Sequence, residues 1–264
     1  MHKAFVGIDV ACSKRKRLPV NISFLESGRL IPLPLRTLNT VLPPKSEGNV
    51  RTLDEDWLER FSTETACYLH KLEHYFHVCV KRIAIDAPSA PKSDGKDRRQ
   101  AELALDARGI SCFTTPSREE FVRIKKKVSD HLDRGGAEMN MPHANQLWML
   151  LGFALFQHLR RYWEVIEVFP QATVTVLGVS ASHKSNPYGL QSQLAAAASF
   201  TGWPDPINPS ELRNTCYGKL DDCLDAYLAA WVASLDETYR EPFGVLPDDV
   251  IWVPRIKRGS LTLV

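Results

Sequence analysis

Ala4-Phe5-Val6-Gly7-Ile8-Asp9-Val10 is the stretch on which the reading of this chain turns. So short a run of β-branched and aromatic residues, closed by one carboxylate, has the composition of a strand buried on both faces. Asp is disfavoured in strands and is seldom buried without a partner. Asp9 is therefore placed where the strand opens into a loop, at the carboxyl edge of a sheet, where open α/β folds gather their ligands. A lone Asp at that point is also an ordinary turn residue. The weight falls on whether other carboxylates reach the same edge.

Two later stretches repeat the pattern, and a third brings further carboxylates on a helix. Lys81-Arg82-Ile83-Ala84-Ile85-Asp86-Ala87-Pro88 is again a short apolar strand, ended by Asp86 and stopped by proline. A helix precedes it, from Asp54 to about His77, with Trp57, Leu58, Phe61, Leu69 and Leu72 at helical spacing. If that helix is a right-handed crossover between parallel neighbours, Asp9 and Asp86 arrive side by side. Two such carboxylates repel, and a divalent cation relieves them. Val165-Ile166-Glu167-Val168-Phe169-Pro170 reads as a further strand carrying a carboxylate near its end, with Pro170 opening a short helix. Finally, Leu220 to Ala233 is helical. Leu224, Leu228, Trp231 and Leu235 form an apolar stripe, and Ala226, Ala229, Ala230 and Ala233 give a face small enough to lie close against a sheet. Asp222 and Asp225, at i and i+3, share a face of this helix; they suit one cation or, equally, the dipole at the helix start.

The remaining segments supply the frame. Val20 to Leu25 and Leu30 to Leu35, separated by Glu26-Ser27-Gly28-Arg29, read as a hairpin whose second strand is an edge because of Pro32 and Pro34. Lys96 to Arg108 reads as a helix, Ile110 to Thr114 as a short strand, and Ser117 with Glu120 as a capping box opening a basic helix to about Arg134. An apolar helix follows from Pro142 to Arg161, then an alanine-rich one from Leu190 to Phe200, and a last strand from Val250 to Val253 before a basic tail. Pro242 to Pro247 reads as a connecting loop. His70, His74 and His77 could line one helix face with Cys67, but a tetrahedral metal site draws on more than one element, so they are read as surface histidines. Lys14-Arg15-Lys16-Arg17, the basic helix and Lys184 are solvated charges by default and phosphate contacts if the site is a nuclease's.

The 264 residues, 44% hydrophobic and 24% charged, suffice for one large domain or two small ones, and for a full core. A net charge of +2 gives no global attraction to nucleic acid, so any such binding must come from local patches. The six cysteines are scattered without a CxxC pair, which is the usage of a reduced, cytoplasmic protein. No segment is apolar for long enough to span a membrane.

The order Gly7-Ile8-Asp9, Ile85-Asp86-Ala87-Pro88, Glu167-Val168-Phe169-Pro170 and Asp221-Asp222-Cys223-Leu224-Asp225-Ala226 resembles a widespread domain-of-unknown-function family of predicted RNase H-like nucleases. The resemblance runs from about Phe5 to Pro254. It implies a single α/β domain over 1–264, with a ribonuclease-H-like mixed central sheet whose first three strands are antiparallel, flanked by helices. The block at about 117–162 would be a helical insertion. It further implies a carboxylate cluster of Asp9, Asp86, Glu167, Asp222 and Asp225, acting as catalytic groups and as ligands of Mg²⁺ or Mn²⁺. Holliday-junction resolvases look similar in their first-strand acid, fourth-strand acid and paired acids on the last helix.

The expected activity is two-metal hydrolysis of phosphodiester bonds in nucleic acid, with Asp9 bridging the ions. Two alternatives stand beside it. One is a non-catalytic RNase H-like protein that binds nucleic acid or serves assembly. The other is an actin-like or sugar-kinase-like phosphotransferase, whose first strand also ends in Asp but leads into a glycine-bearing phosphate loop; here Val10-Ala11-Cys12-Ser13 follows, and Gly135-Gly136 stands alone.

Overall fold

The computed structural model describes residues 1–256, and its centre is one seven-stranded mixed sheet. In chain order the strands are β1 (His2–Asp9), β2 (Val20–Glu26), β3 (Arg29–Pro32), β4 (Val78–Asp86), β5 (Glu164–Val168), β6 (Arg240–Val245) and β7 (Asp249–Pro254). The helices are α1 (Glu55–Phe76), α2 (Gln100–Asp106), α3 (Arg118–Asp133), α4 (Ala144–Leu159), α5 (Pro170–Val176), α6 (Pro187–Thr201), α7 (Leu212–Thr215) and α8 (Leu220–Ser234). The strands lie in the order β3-β2-β1-β4-β5-β7-β6. β1, β2 and β3 are joined antiparallel, β4 and β5 extend the sheet parallel to β1, and β6 closes it antiparallel to β7.

Alternation along β1 and β4 divides the core into two layers. Ala4, Val6 and Ile8 of β1, with Ile83 and Ile85 of β4, pack under Leu69 and Leu72 of α1 and Leu151 and Leu155 of α4. Phe5 and Ala84 point the other way, into a layer with Leu224, Leu228 and Trp231 of α8 and Leu194 of α6. The block at 117–162 contributes Phe121, Ile124, Val128 and Leu147 to the first layer. It is therefore built into the main core between β4 and β5.

Local signals placed most boundaries. Asp54 caps α1 by accepting from the Trp57 amide at 3.1 Å, and Ser117 and Glu120 form the capping box that opens α3. β3 is an edge strand, as Pro32 requires, and Pro34 lies beyond its end. Two expectations fail. Ile110 to Thr114 forms no strand, because β7, not this segment, lies beside β5; the Thr115 amide instead donates to Glu102 Oε1 at 2.8 Å. Conversely the segment from Pro242 to Pro247, read as a connecting loop, begins inside the edge strand β6 (Arg240–Val245), which accommodates Pro242. Gly244 is the reason that β6 lies so close to α2: a Cβ there would stand 2.8 Å from the Ala101 Cα. The basic tail lies from 257 onward outside the described residues.

Two of the three helix histidines serve local structure. His70 lies 3.0 Å from Glu73 Oε2 and against the Trp163 ring, and His77 is the left-handed residue that ends α1. None of the six cysteines is in a disulfide. Among the described residues no helix is long and apolar enough to cross a membrane.

Candidate metal centre

Asp9 and Asp86 are direct neighbours in the parallel register of β1 and β4. The alternation that turns Phe5 and Gly7 toward α8 turns Asp9 the same way, and Asp86 follows Ala84. The third carboxylate comes from α8 itself. Gly7 allows this, because a Cβ at residue 7 would collide with the Ala226 carbonyl and the Ala230 amide and would lie 2.9 Å from the Ala229 Cβ. With that space kept empty, the alanine face of α8 rests on the strand and Asp225 stands beside its end. One carboxylate oxygen from each of Asp9, Asp86 and Asp225 lies within 4.8 Å of the other two.

The environment penalises negative charge at this point. Burial raises Asp9 well above the usual carboxylate range, and the Asp86 and Asp222 carboxylates push it further, against the opposing pull of Lys184 and Lys16. Burial likewise pushes Asp86 up to about 7, with Glu167 adding to the effect and Lys184 opposing it. Asp225 is buried and forms an ion pair with the Lys184 ammonium. The fit to a hard divalent cation is good: three carboxylate oxygens converge, and two of the groups are held protonation-prone by a charge deficit that a cation would fill.

The other two expected ligands are placed differently. Asp222 is beside the triad, but its Oδ2 accepts from the Lys219 amide at 2.9 Å and from Lys16 Nζ at 3.2 Å. It caps α8 and holds a lysine. Glu167 lies with Val165 on the alternate face of β5, while Ile166 and Val168 face the α8 layer. There it receives two parallel bonds of 2.8 Å from Arg99 and a third of 2.8 Å from the Ser89 amide. Its charge is matched by a guanidinium, and it stands outside the triad.

Three contributors escaped the sequence reading. Gly7 carried a signal, since glycine inside a strand marks a close approach. Lys16 was visible only as one of four consecutive basic residues, and nothing in the sequence around Arg99 marks it as the partner of Glu167. Lys184, singled out as a phosphate candidate, proves to reach Asp225.

Residues 45–248 match the family described as protein of unknown function (DUF429). The chain belongs to that family. The matched region holds Asp86, Glu167, Asp222 and Asp225 of this DUF429 member, whereas Asp9 and β1 precede it. No curated protein and no solved structure gives a significant match.

Proposed function

We propose that this protein is a metal-dependent nuclease of ribonuclease-H-like fold that hydrolyses phosphodiester bonds. The observation that carries the reading is the convergence of Asp9, Asp86 and Asp225 at the carboxyl ends of adjacent parallel strands and the start of the last helix. The sheet order supports it: a mixed sheet whose first three strands are antiparallel is what the sequence resemblance implies.

Asp9, Asp86 and Asp225 would hold one Mg²⁺ or Mn²⁺ ion. The five-acid, two-ion arrangement is narrowed, because Asp222 and Glu167 are committed to Lys16 and Arg99. When bound, the cation supplies charge neutralisation and activation for attack at a phosphoryl group. The chain supplies the rest. Gly7 fixes the distance between Asp9 and Asp225, Asp222 secures the first turn of α8, and Lys184 offers a mobile cation to a phosphate oxygen once it leaves Asp225.

The pairing of Lys184 with Asp225 and of Lys16 with Asp222 favours a second reading, a nucleic-acid-binding or assembly protein whose acids are satisfied by lysines. A cleavage panel separates the two. Single-stranded, duplex, hybrid and branched DNA and RNA are incubated with Mn²⁺, with Mg²⁺ and with chelator, using wild type and Asp9→Asn. Cleavage by wild type alone, dependent on the ion, is expected; binding without cleavage in every arm would leave the non-catalytic reading.

A further inference from the structure

On the face of the sheet opposite the triad, a cavity opens over the carboxyl ends of β4 and β5. Its volume is about 70 Å³, it is partly open to solvent, and Asp86 is shared between its rim and the triad. Pro88 and Phe169 line it from the strand ends, Trp148 and Met149 from α4, and Phe113 from the irregular segment before α3. Phe113 is 62% exposed, a large aromatic surface that no core contact explains. The hydroxyl of Thr115, which also lines the cavity, is fully buried and has no hydrogen-bond partner.

The charged groups at its floor are already spent on one another. Arg99 binds Glu167 through two nitrogens and Asp249 through Nε, and Glu102 accepts from the Thr115 amide. The cavity therefore offers no free cation for a phosphate. It offers flat aromatic walls, with one unpaired hydroxyl buried behind them, and these suit an uncharged planar heterocycle. We propose that it is a base-binding subsite, taking one unstacked nucleobase of the strand whose backbone lies at the acidic triad. The inference rests on the nuclease reading for its polynucleotide and on the cavity alone for its base.

Calorimetric titration with adenosine, guanosine, cytidine and uridine, and with ribose 5-phosphate as the base-free control, tests the cavity directly. At least one nucleoside binds and ribose 5-phosphate does not. Phe113→Ala, whose exposed side chain carries little of the fold, weakens that binding about tenfold by loss of stacking. Thr115→Val changes the order of preference among the bases. Absence of nucleoside binding up to millimolar concentration, or binding indifferent to both substitutions, overturns the subsite. A second measurement compares cleavage of an oligonucleotide with that of the same strand made abasic. Equal cleavage of both overturns the subsite and leaves the nuclease reading standing. Nucleoside binding that falls with Phe113→Ala, in a protein that cleaves nothing, upholds the subsite and removes the nuclease reading.

Discussion

Gly7 lies directly beneath Ala226, so close that a single methyl group at residue 7 would occupy the space of the Ala226 carbonyl. The obstruction is backbone, which cannot rotate away as a side chain would. Gly7→Ala is therefore expected to lift α8 from β1 and to cost at least about 3 kcal/mol, the upper end of overpacking effects. Urea titration checks the stability. Any folded fraction should also bind Mn²⁺ less tightly, because Asp225 moves with the helix.

Titration of Asp86 gives a second test, and its sign is fixed. The folded pKa, about 7, lies above the ordinary carboxylate value, so the bound proton stabilises the fold. That contribution is complete below about pH 4 and disappears as the pH rises through about 7. In chelator, melting temperatures of wild type should fall between pH 5 and 8 more steeply than those of Asp86→Asn. At pH 8 the variant should be the more stable by about 1 to 2 kcal/mol, since it carries no buried charge. Parallel melting curves for the two proteins would show that Asp86 titrates normally.

Lys184 competes with any cation for Asp225. Removing it in Lys184→Ala should tighten Mn²⁺ binding several-fold to about tenfold while weakening the metal-free fold, because Asp225 is left buried without its partner. Calorimetric titration with Mn²⁺ and melts in chelator give the two readouts. Unchanged Mn²⁺ affinity would mean that the ion binds elsewhere.

The strand-end acids and the alanine face of α8 were legible because both follow from short-range pattern: an apolar run fixes a strand, and small residues at helical spacing fix a contact face. Asp9 and Asp86 could be paired from the parallel crossover alone. Glu167 could not be placed so well, since one residue of register decides the face, and Glu167 has the parity of Val165 instead of Val168. β6 was hidden by Pro242 and Gly244, which are turn signals everywhere except at a sheet edge packed on a helix. Partnerships across the chain, such as Arg99 with Glu167, 68 residues apart, leave no local trace.

The Arg99 pair yields a prediction that separates structure from ligation at Glu167. Arg99→Ala strands a buried carboxylate and should cost about 3 to 5 kcal/mol. Glu167→Gln should leave Mn²⁺ affinity near that of wild type, because Glu167 faces away from the triad. Loss of Mn²⁺ binding in Glu167→Gln, in a protein that still melts cooperatively, would restore it as a ligand.

Asp222 and Asp225 are three residues apart on one helix, yet they should respond in opposite ways. Asp222 accepts the Lys219 amide and holds Lys16, so Asp222→Ala should lose a cap and an ion pair, about 0.5 to 2 kcal/mol of stability, while retaining most of the Mn²⁺ affinity. Asp225 contributes an oxygen to the triad. Asp225→Asn should keep the helix, abolish Mn²⁺ binding at this site, and suppress ion-dependent cleavage by at least about a hundredfold, since each hundredfold needs only about 2.7 kcal/mol of lost transition-state stabilisation. Both variants are melted in chelator and assayed at saturating Mn²⁺. If Asp225→Asn cleaves at the wild-type rate, the triad is not the catalytic centre, and the lysine-paired acids are better understood as part of a binding protein's fold.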